Sequence, residues 1–143
     1  MASETTTEGN YTKPLPRLKG MTGEWFGWLK KHELRFQKCT GCGHWRHVPR
    51  ELCPECGSDG WEWARSSGKG KLYTWTTTYR PMHPSFTEVP FAQVVIEMEE
   101  GPRVLSHIVG TGVEELDFDM PVEVIFDDVT PEVTLAKFRK SGG

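Results

Sequence analysis

Four cysteines, the only ones in the chain, fall into two matched C-x-x-C pairs. They are Cys39, Cys42, Cys53 and Cys56. This spacing lets two thiolates bind one metal ion from a tight turn, and the glycine after each pair (Gly43 and Gly57) supplies the positive φ angle that such a turn favours. Ten residues separate the pairs, enough for the chain to fold back and bring four sulfur atoms together. We therefore predict a structural zinc ribbon with one zinc ion per chain.

Two other uses of the cysteines are weaker. Disulfides would suit a secreted protein, but no apolar N-terminal segment precedes the cysteines, so we expect a cytoplasmic, reducing compartment. Iron, in a rubredoxin-like electron carrier, is the main competing metal assignment. A metal held by four thiolates has no open position for substrate or water, so any chemistry is expected elsewhere.

The charges are distributed unevenly along the chain. Residues 1–80 have a balance of +5, whereas residues 81–143 have a balance of −8. A general nucleic-acid binder would be basic across its binding face, so this distribution argues against that class. No apolar run approaches the length that crosses a bilayer, and we expect no membrane contact.

The first third of the chain predicts an arm and one helix. Residues 1–20 are polar with a proline-rich end and predict a flexible arm. Thr22 is predicted to cap a helix over Gly23–Lys31. Its apolar residues on one side are Trp25, Phe26, Trp28 and Leu29. Packing in the chain's own core and seating of a partner subunit are equally good hypotheses for this face.

The ribbon and a second domain follow. A short strand (residues 34–38) leads into the first cysteine pair, and an edge strand (61–63) follows the second. Residues 66–70, rich in serine and glycine, mark a domain boundary. We therefore divide the chain into the arm 1–20, the helix and zinc ribbon 21–66, and a second domain 67–143.

The second domain shows alternating strand patterns. The predicted strands are Leu72–Tyr79, Phe91–Met98, Arg103–Val109, Val122–Phe126 and Val133–Phe138. In the first of them, Tyr73 and Trp75 are predicted on one face and Leu72 and Thr74 on the other. Five strands with one helical turn between the third and fourth predict an OB-type Greek-key barrel. The fold class is thus mainly β, a rubredoxin-like zinc ribbon with a short N-terminal helix followed by a five-stranded OB-fold barrel.

The order of short motifs matches a known family. The motifs are Lys13-Pro14-Leu15-Pro16, Trp25-Phe26, Gln37-Lys38-Cys39, Pro49-Arg50, Cys53-Pro54, Ser67-Gly68-Lys69-Gly70, Val109-Gly110 and Met120-Pro121-Val122. In this succession the chain resembles the zinc-ribbon plus OB-fold proteins, a former domain-of-unknown-function family associated with acyl-CoA metabolism. One departure is Asp119, where the family usually has glycine.

The resemblance implies an accessory role. Members act as small partners of thiolase-like enzymes, of sterol-carrier-type thiolases acting as aldolases, or of hot-dog-fold hydratases. For this chain it implies a non-catalytic subunit beside a thiolase-fold catalytic subunit, in an α2β2 heterotetramer. The complex would make or break a C–C bond in an acyl-CoA thioester, and the small subunit would stabilise its partner and help shape the acyl-CoA tunnel. A hydratase partner is the alternative.

The residues themselves offer no catalytic group of their own. All four thiols are assigned to metal, and His107 is predicted to be structural. For His83, in a proline-rich loop, a functional role is slightly more plausible than for His107. Coenzyme A needs cations for its phosphates, and Lys38, Arg46 and Arg50 belong to a basic cluster around the cysteines. We assign these three residues to CoA binding as a hypothesis, with a solvated basic face as the simpler alternative.

Two further hypotheses concern the barrel. The loop over residues 80–89 is long enough to be functional, and we expect it to line the acyl tunnel. Tyr73, Trp75 and Tyr79 would suit stacking of bases in a single-stranded nucleic-acid binder, although the −8 balance of residues 81–143 opposes it.

Overall fold

The computed structural model describes residues 13–81, 84 and 89–141. The described residues form one α-helix, eight β-strands and a short 3₁₀ helix. The elements are α1 Gly20–Lys30, β1 Arg35–Cys39, β2 Trp45–Arg46, β3 Trp61–Arg65, β4 Lys69–Thr78, β5 Phe91–Met98, β6 Arg103–Val109, the 3₁₀ helix Val113–Glu115, β7 Pro121–Asp128 and β8 Thr134–Lys140. In this part of the chain no helix is long and apolar enough to cross a membrane.

The helix begins earlier than the sequence predicted. Lys19 occupies the N-cap position with no side-chain hydrogen bond, and Thr22 lies inside the helix. The prediction that Thr22 caps α1 was therefore wrong. Close packing sets the start instead, because a Cβ on Gly23 would lie 2.7 Å from the carbonyl carbon of Leu18. Only glycine lets the preceding segment pack this closely on the first turn.

The ribbon is a three-stranded antiparallel sheet in the order β2-β1-β3, with β1 in the centre. The register of β1 against β3 runs from Arg35 opposite Arg65 to Cys39 opposite Trp61. This order confirms that the residues after the second cysteine pair form an edge strand. Phe36, Gln37 and Cys39 of β1 are buried, so this central strand is shielded from solvent where it leads into the first cysteine pair.

The remaining strands close into a barrel in the order β4-β5-β6-β8-β7. Every pairing is antiparallel except that of β6 with β8. The 3₁₀ helix lies between β6 and β7, where one helical turn was predicted. The predicted fold class is thereby confirmed, and β5 and β6 have the predicted bounds.

Strand β4 departs from simple alternation. Its pairing with β5 shifts between Leu72 and Thr74, which is a β-bulge. One extra residue reverses the facing of every later side chain. As a result Leu72 and Trp75 both pack into the core, whereas Tyr73 is 41% exposed. The prediction that Tyr73 and Trp75 share a face was wrong for this reason.

One hydrophobic core runs through both halves of the chain. Trp25 and Leu29 of α1 belong to the same buried cluster as Phe36 of β1 and Phe138 of β8. The structure thus favours packing of the helix in the chain's own core, with Phe26 half-buried against it. The proposed division at residues 66–67 stays a prediction, and apolar packing continues across it.

Candidate metal centre and adjoining basic surface

The two cysteine pairs form knuckles of the same design. In the first, the N–H of Cys39 donates to the carbonyl of His44 at 2.8 Å, and the N–H of Gly43 donates to that of Cys39 at 2.9 Å. In the second, Cys53 donates to Ser58 and Gly57 donates to Cys53, both at 2.9 Å. The glycines have φ of +79° and +78°, a conformation that side-chain-bearing residues rarely adopt.

The knuckles bring the four sulfur atoms together. All lie within 4.8 Å of one another, with Cys39 and Cys56 at 3.6 Å and Cys42 and Cys53 at 3.7 Å. A tetrahedral zinc–thiolate centre with Zn–S bonds of about 2.3 Å requires sulfurs about 3.8 Å apart. The observed separations fit that requirement and are far too long for a disulfide, whose S–S bond is about 2.05 Å. The four cysteines are free thiols that suit one tetrahedral metal ion.

Backbone N–H groups point at the sulfurs. Gly41 donates to Cys39 Sγ at 3.3 Å, and Glu55 donates to Cys53 Sγ at 3.4 Å. Hydrogen bonding from the N–H of Cys42 outweighs the desolvation of Cys39 and, with Gly41, lowers the pKa of its thiol to about 6. The thiolate is the form that binds a metal, so this environment favours the ligand state at Cys39, and the pKa of Cys53 is lowered as well. At Cys42 the N–H of His44 donates to the sulfur, but desolvation and the neighbouring thiols outweigh this hydrogen bond and raise the pKa, and the pKa of Cys56 is also raised.

The histidines between the knuckles are not part of this centre. The group of residues able to hold a metal, within the part of the chain that the structure describes, contains the four cysteines alone. His47 instead lies among aromatic rings, 5.0 Å from the Trp25 ring and 5.4 Å from the Phe36 ring. Its burial lowers the pKa of the imidazole to about 4, so the side chain is neutral at pH 7.

The three residues assigned to CoA occupy different environments. Arg46 is only 4% exposed; its Nε donates to Gln37 Oε1 at 2.9 Å and its Nη2 donates to the Arg50 carbonyl at 2.9 Å. Arg50 itself is exposed. Lys38 is half-buried, with its ammonium 5.4 Å from the centre of the Trp45 ring. Their contact with CoA stays a prediction, and Arg46 additionally holds the loop that carries Arg50.

Gln37 is a site residue that sequence reasoning missed. Its side chain is fully buried, and Oε1 accepts hydrogen bonds from Arg46 Nε and from the Arg50 N–H at 2.7 Å. A glutamine in a short strand gives no sequence signal for this role, because the role depends on the loop folding back over β1. Gln37 fixes the course of the segment between the knuckles.

The other sequence candidates lie in the barrel or beyond the described residues. His83 and most of the loop over residues 80–89 lie outside the described residues. His107 is half-buried on β6, where its ring meets that of Phe91 at 6.0 Å with the planes at 68°. Tyr79 is exposed, whereas Trp75 packs against the core and against Phe118, at 4.9 Å between ring centres.

A four-thiolate ribbon fused to an OB barrel defines a class of small zinc-binding proteins. The chain matches two domain models of that class: "ChsH2, rubredoxin-like zinc ribbon domain" over residues 29–62 and "ChsH2, C-terminal OB-fold domain" over residues 63–127. It belongs to the ChsH2-type family of zinc-ribbon plus OB-fold proteins, also called DUF35.

Three relatives illustrate the range of the family. A "DUF35 domain-containing scaffold protein" of Pyrococcus furiosus is 37% identical over 71% of this chain and 74% of its own. A "Probable enoyl-CoA hydratase alpha subunit" of Thermomonospora curvata is 33% identical over 89% of this chain, which spans 40% of that relative's length. A solved chain of the "Ltp2-ChsH2(DUF35) aldolase" is 32% identical, with a TM-score of 0.81 over 89% of this chain and 99% of that chain.

Proposed function

We propose that this protein is a non-catalytic accessory subunit of a heteromeric enzyme that acts on acyl-CoA thioesters. The observation that carries the proposal is the likeness to the solved chain from the Ltp2-ChsH2 aldolase, which extends over 99% of that chain. The chemistry of the site agrees with it, because four thiolates leave a bound zinc with no open position. In this proposal the zinc supports structure and the partner supplies the reacting groups.

For the partner we favour a thiolase-fold aldolase or thiolase subunit, in an α2β2 heterotetramer in the cytoplasm. The complex would make or break a C–C bond in the thioester, and this chain would stabilise the catalytic subunit and help shape its acyl-CoA tunnel. A hydratase partner is the second candidate, since the Thermomonospora curvata relative is described as a hydratase alpha subunit.

The partner is tested by affinity purification from the native host, followed by mass spectrometry. We expect a thiolase-fold protein in near-equal amount, and size-exclusion chromatography with light scattering gives the stoichiometry. A hot-dog-fold hydratase in its place would keep the accessory role and change the reaction. Recovery of the tagged chain alone, under conditions where its zinc content is one per chain, would overturn the proposal.

Contact with CoA is a finer hypothesis with its own test. In the purified complex, Arg50→Glu and Lys38→Glu reverse two charges without touching the buried Arg46–Gln37 hydrogen bond. We expect each to weaken CoA binding several-fold, because phosphates favour nearby cations. Lys140→Glu, an exposed change on β8, is the matched control. Unchanged CoA affinity in both ribbon variants would leave these residues as a solvated basic face.

Two other classes remain open to simple tests. Salt-sensitive binding of a labelled single-stranded oligonucleotide would favour a nucleic-acid-binding module. Iron content with visible absorbance would favour a rubredoxin-like electron carrier. We expect neither, because the barrel half is acidic and the barrel would serve no purpose in an electron carrier of this kind.

A further inference from the structure

A cavity of about 440 Å³ opens on the barrel at the β6–β8 pair. Its apolar lining includes Pro14, Phe91, Ile108, Val113 and Leu135. Ile108 and Val113 also pack against the hydrophobic core, so part of the cavity wall rests on that core. This volume lies within the range of about 300–1,000 Å³ that small-molecule sites occupy.

Polar and charged side chains also line the cavity. His107 of β6 and Lys137 of β8 line it, together with Lys13 from the segment before the helix. Lys137 Nζ lies 2.6 Å from Asp127 Oδ2, and an ammonium group has two further protons to donate. The ring nitrogens of His107 have no hydrogen-bond partner among the residues that the structure describes. These nitrogens are not enclosed away from solvent, so a ligand in the cavity would replace water at the imidazole.

The electrostatic environment at His107 favours a negative charge. Desolvation lowers the pKa of His107, and the positive charges of Lys137 and Lys13 lower it further. The imidazole is therefore neutral at pH 7 and lies in a positive potential. A neutral imidazole N–H donates a hydrogen bond to an anion without adding charge of its own.

We propose that this cavity binds a small amphipathic carboxylate, with its aliphatic body against Phe91 and Leu135 and its carboxylate between His107 and Lys137. The apolar walls favour burial of a hydrocarbon chain. Two lysines, Lys13 and Lys137, line the cavity and both already have interaction partners, so the cavity matches a single negative charge better than the several charges of a nucleotide. The lining residues named above all belong to this chain, so ligand binding can be measured without the proposed catalytic partner.

The binding test is a calorimetric titration of the full-length, zinc-loaded protein with octanoate. Octanamide is the matched neutral ligand. We expect saturable octanoate binding with a dissociation constant of about 1 mM or tighter, a modest affinity for a ligand of this size. Octanamide should bind about 10-fold more weakly, because charge-assisted hydrogen bonds are the stronger ones. No saturable binding of octanoate, or equal binding of the two ligands, would overturn the proposal.

Three variants locate the site. Leu135→Trp fills the cavity and should reduce octanoate affinity more than about 10-fold, while Leu105→Trp, an exposed position on β6 outside the lining, should leave it unchanged. Asp127→Asn releases Lys137 from its ion pair and should tighten binding several-fold. General damage to the fold would weaken binding, so tighter binding in Asp127→Asn would show a specific effect at the cavity. Wild-type affinity in Leu135→Trp, or weaker binding in Asp127→Asn, would place the ligand elsewhere.

The imidazole gives an independent readout. A carboxylate beside His107 favours its protonated form, so bound octanoate should raise the pKa of His107, whereas octanamide should not. The other charged groups of the cavity are Lys13 and Lys137, the latter paired with Asp127. The pKa is followed by NMR of the imidazole ring protons across a pH titration. If octanoate leaves the pKa of His107 unchanged, the proposal is contradicted.

Discussion

The two knuckles with the segment between them (residues 39–58, here the ribbon tip) and the OB barrel are stabilised in different ways. Apart from Cys39 and Cys53, Arg46 is the one fully buried residue of the ribbon tip among the described residues, and His47 is partly buried. The barrel buries apolar side chains on all five of its strands, including Leu72, Ile96 and Phe138. Stability in the ribbon tip is therefore concentrated in four sulfurs, whereas in the barrel it is shared among many contacts.

The largest effect is expected from loss of a sulfur. Cys39→Ser should destabilise the ribbon tip by on the order of 5 kcal/mol or more, since zinc binding supplies most of the folding free energy of such a site. Metal analysis should show less than one zinc per chain, and NMR amide spectra should lose dispersion for residues 39–58 while barrel signals persist. Ser58→Ala, which removes one hydrogen bond to the Gly60 N–H, is the control. One zinc per chain and dispersed amide signals for residues 39–58 in Cys39→Ser would show that the ribbon tip does not depend on its four sulfurs.

A barrel change should lower stability without releasing the metal. Phe138 is fully buried in β8, and Phe138→Ala should reduce the free energy of unfolding by about 3–5 kcal/mol. Urea denaturation measures the loss, and metal analysis in native buffer should still find one zinc. Leu105→Ala, at a position 68% exposed, should change stability by no more than about 0.5 kcal/mol. A loss below about 1 kcal/mol in Phe138→Ala would contradict the view that this ring anchors the core.

The ribbon tip should respond to pH through His47, which packs against Trp25 of α1 and Phe36 of β1. Its pKa is about 4 in the folded protein and about 6.5 when unfolded. Between these values the unfolded state binds more protons, so stability is full above about pH 6.5 and falls by about 1 kcal/mol per pH unit below it. Urea denaturation at pH 7.5 and pH 5.5 measures the slope. His47→Gln should flatten it, and an equal slope in the variant would assign the pH dependence to other groups.

The smallest effect concerns the turn before β7. Asp119 has a φ of +63°, in the left-handed region that glycine adopts without strain. The turn thus keeps a glycine-like conformation although the residue is aspartate. Asp119→Gly should stabilise the protein by about 0.5–1 kcal/mol, since the exposed 3.7 Å ion pair with Lys71 contributes little. A drop in melting temperature would show that the side chain contributes more than the strain costs.

Local patterns in the sequence were sufficient for much of this architecture. The bounds of β5 and β6 follow from alternation between clear turns, and the metal centre follows from cysteine spacing and the glycines after it. These features depend on residues that are close in sequence. They can therefore be predicted without knowledge of distant contacts.

Features that depend on distant contacts were not predictable. The bulge at Tyr73 exists because β4 must match β5, which follows 13 residues after β4 ends. The start of α1 depends on the path of Leu18 over Gly23, and the role of Gln37 depends on the loop that carries Arg50. The cavity beside His107 is assembled from three strands, the loop and 3₁₀ helix after β6, and the segment before α1, so no single stretch of sequence contains it.

The packing of α1 against β8 has a consequence for synthesis of the protein. Among the described elements α1 precedes all the others and β8 follows them, yet the two lie against each other in the fold. At about 5–20 residues per second, the hundred or so residues between them take roughly 5–20 s to translate. The cysteine knuckles emerge early in that interval and can take up zinc, while the apolar face of the helix remains uncovered. The nascent chain is therefore expected to need protection from aggregation until β8 emerges.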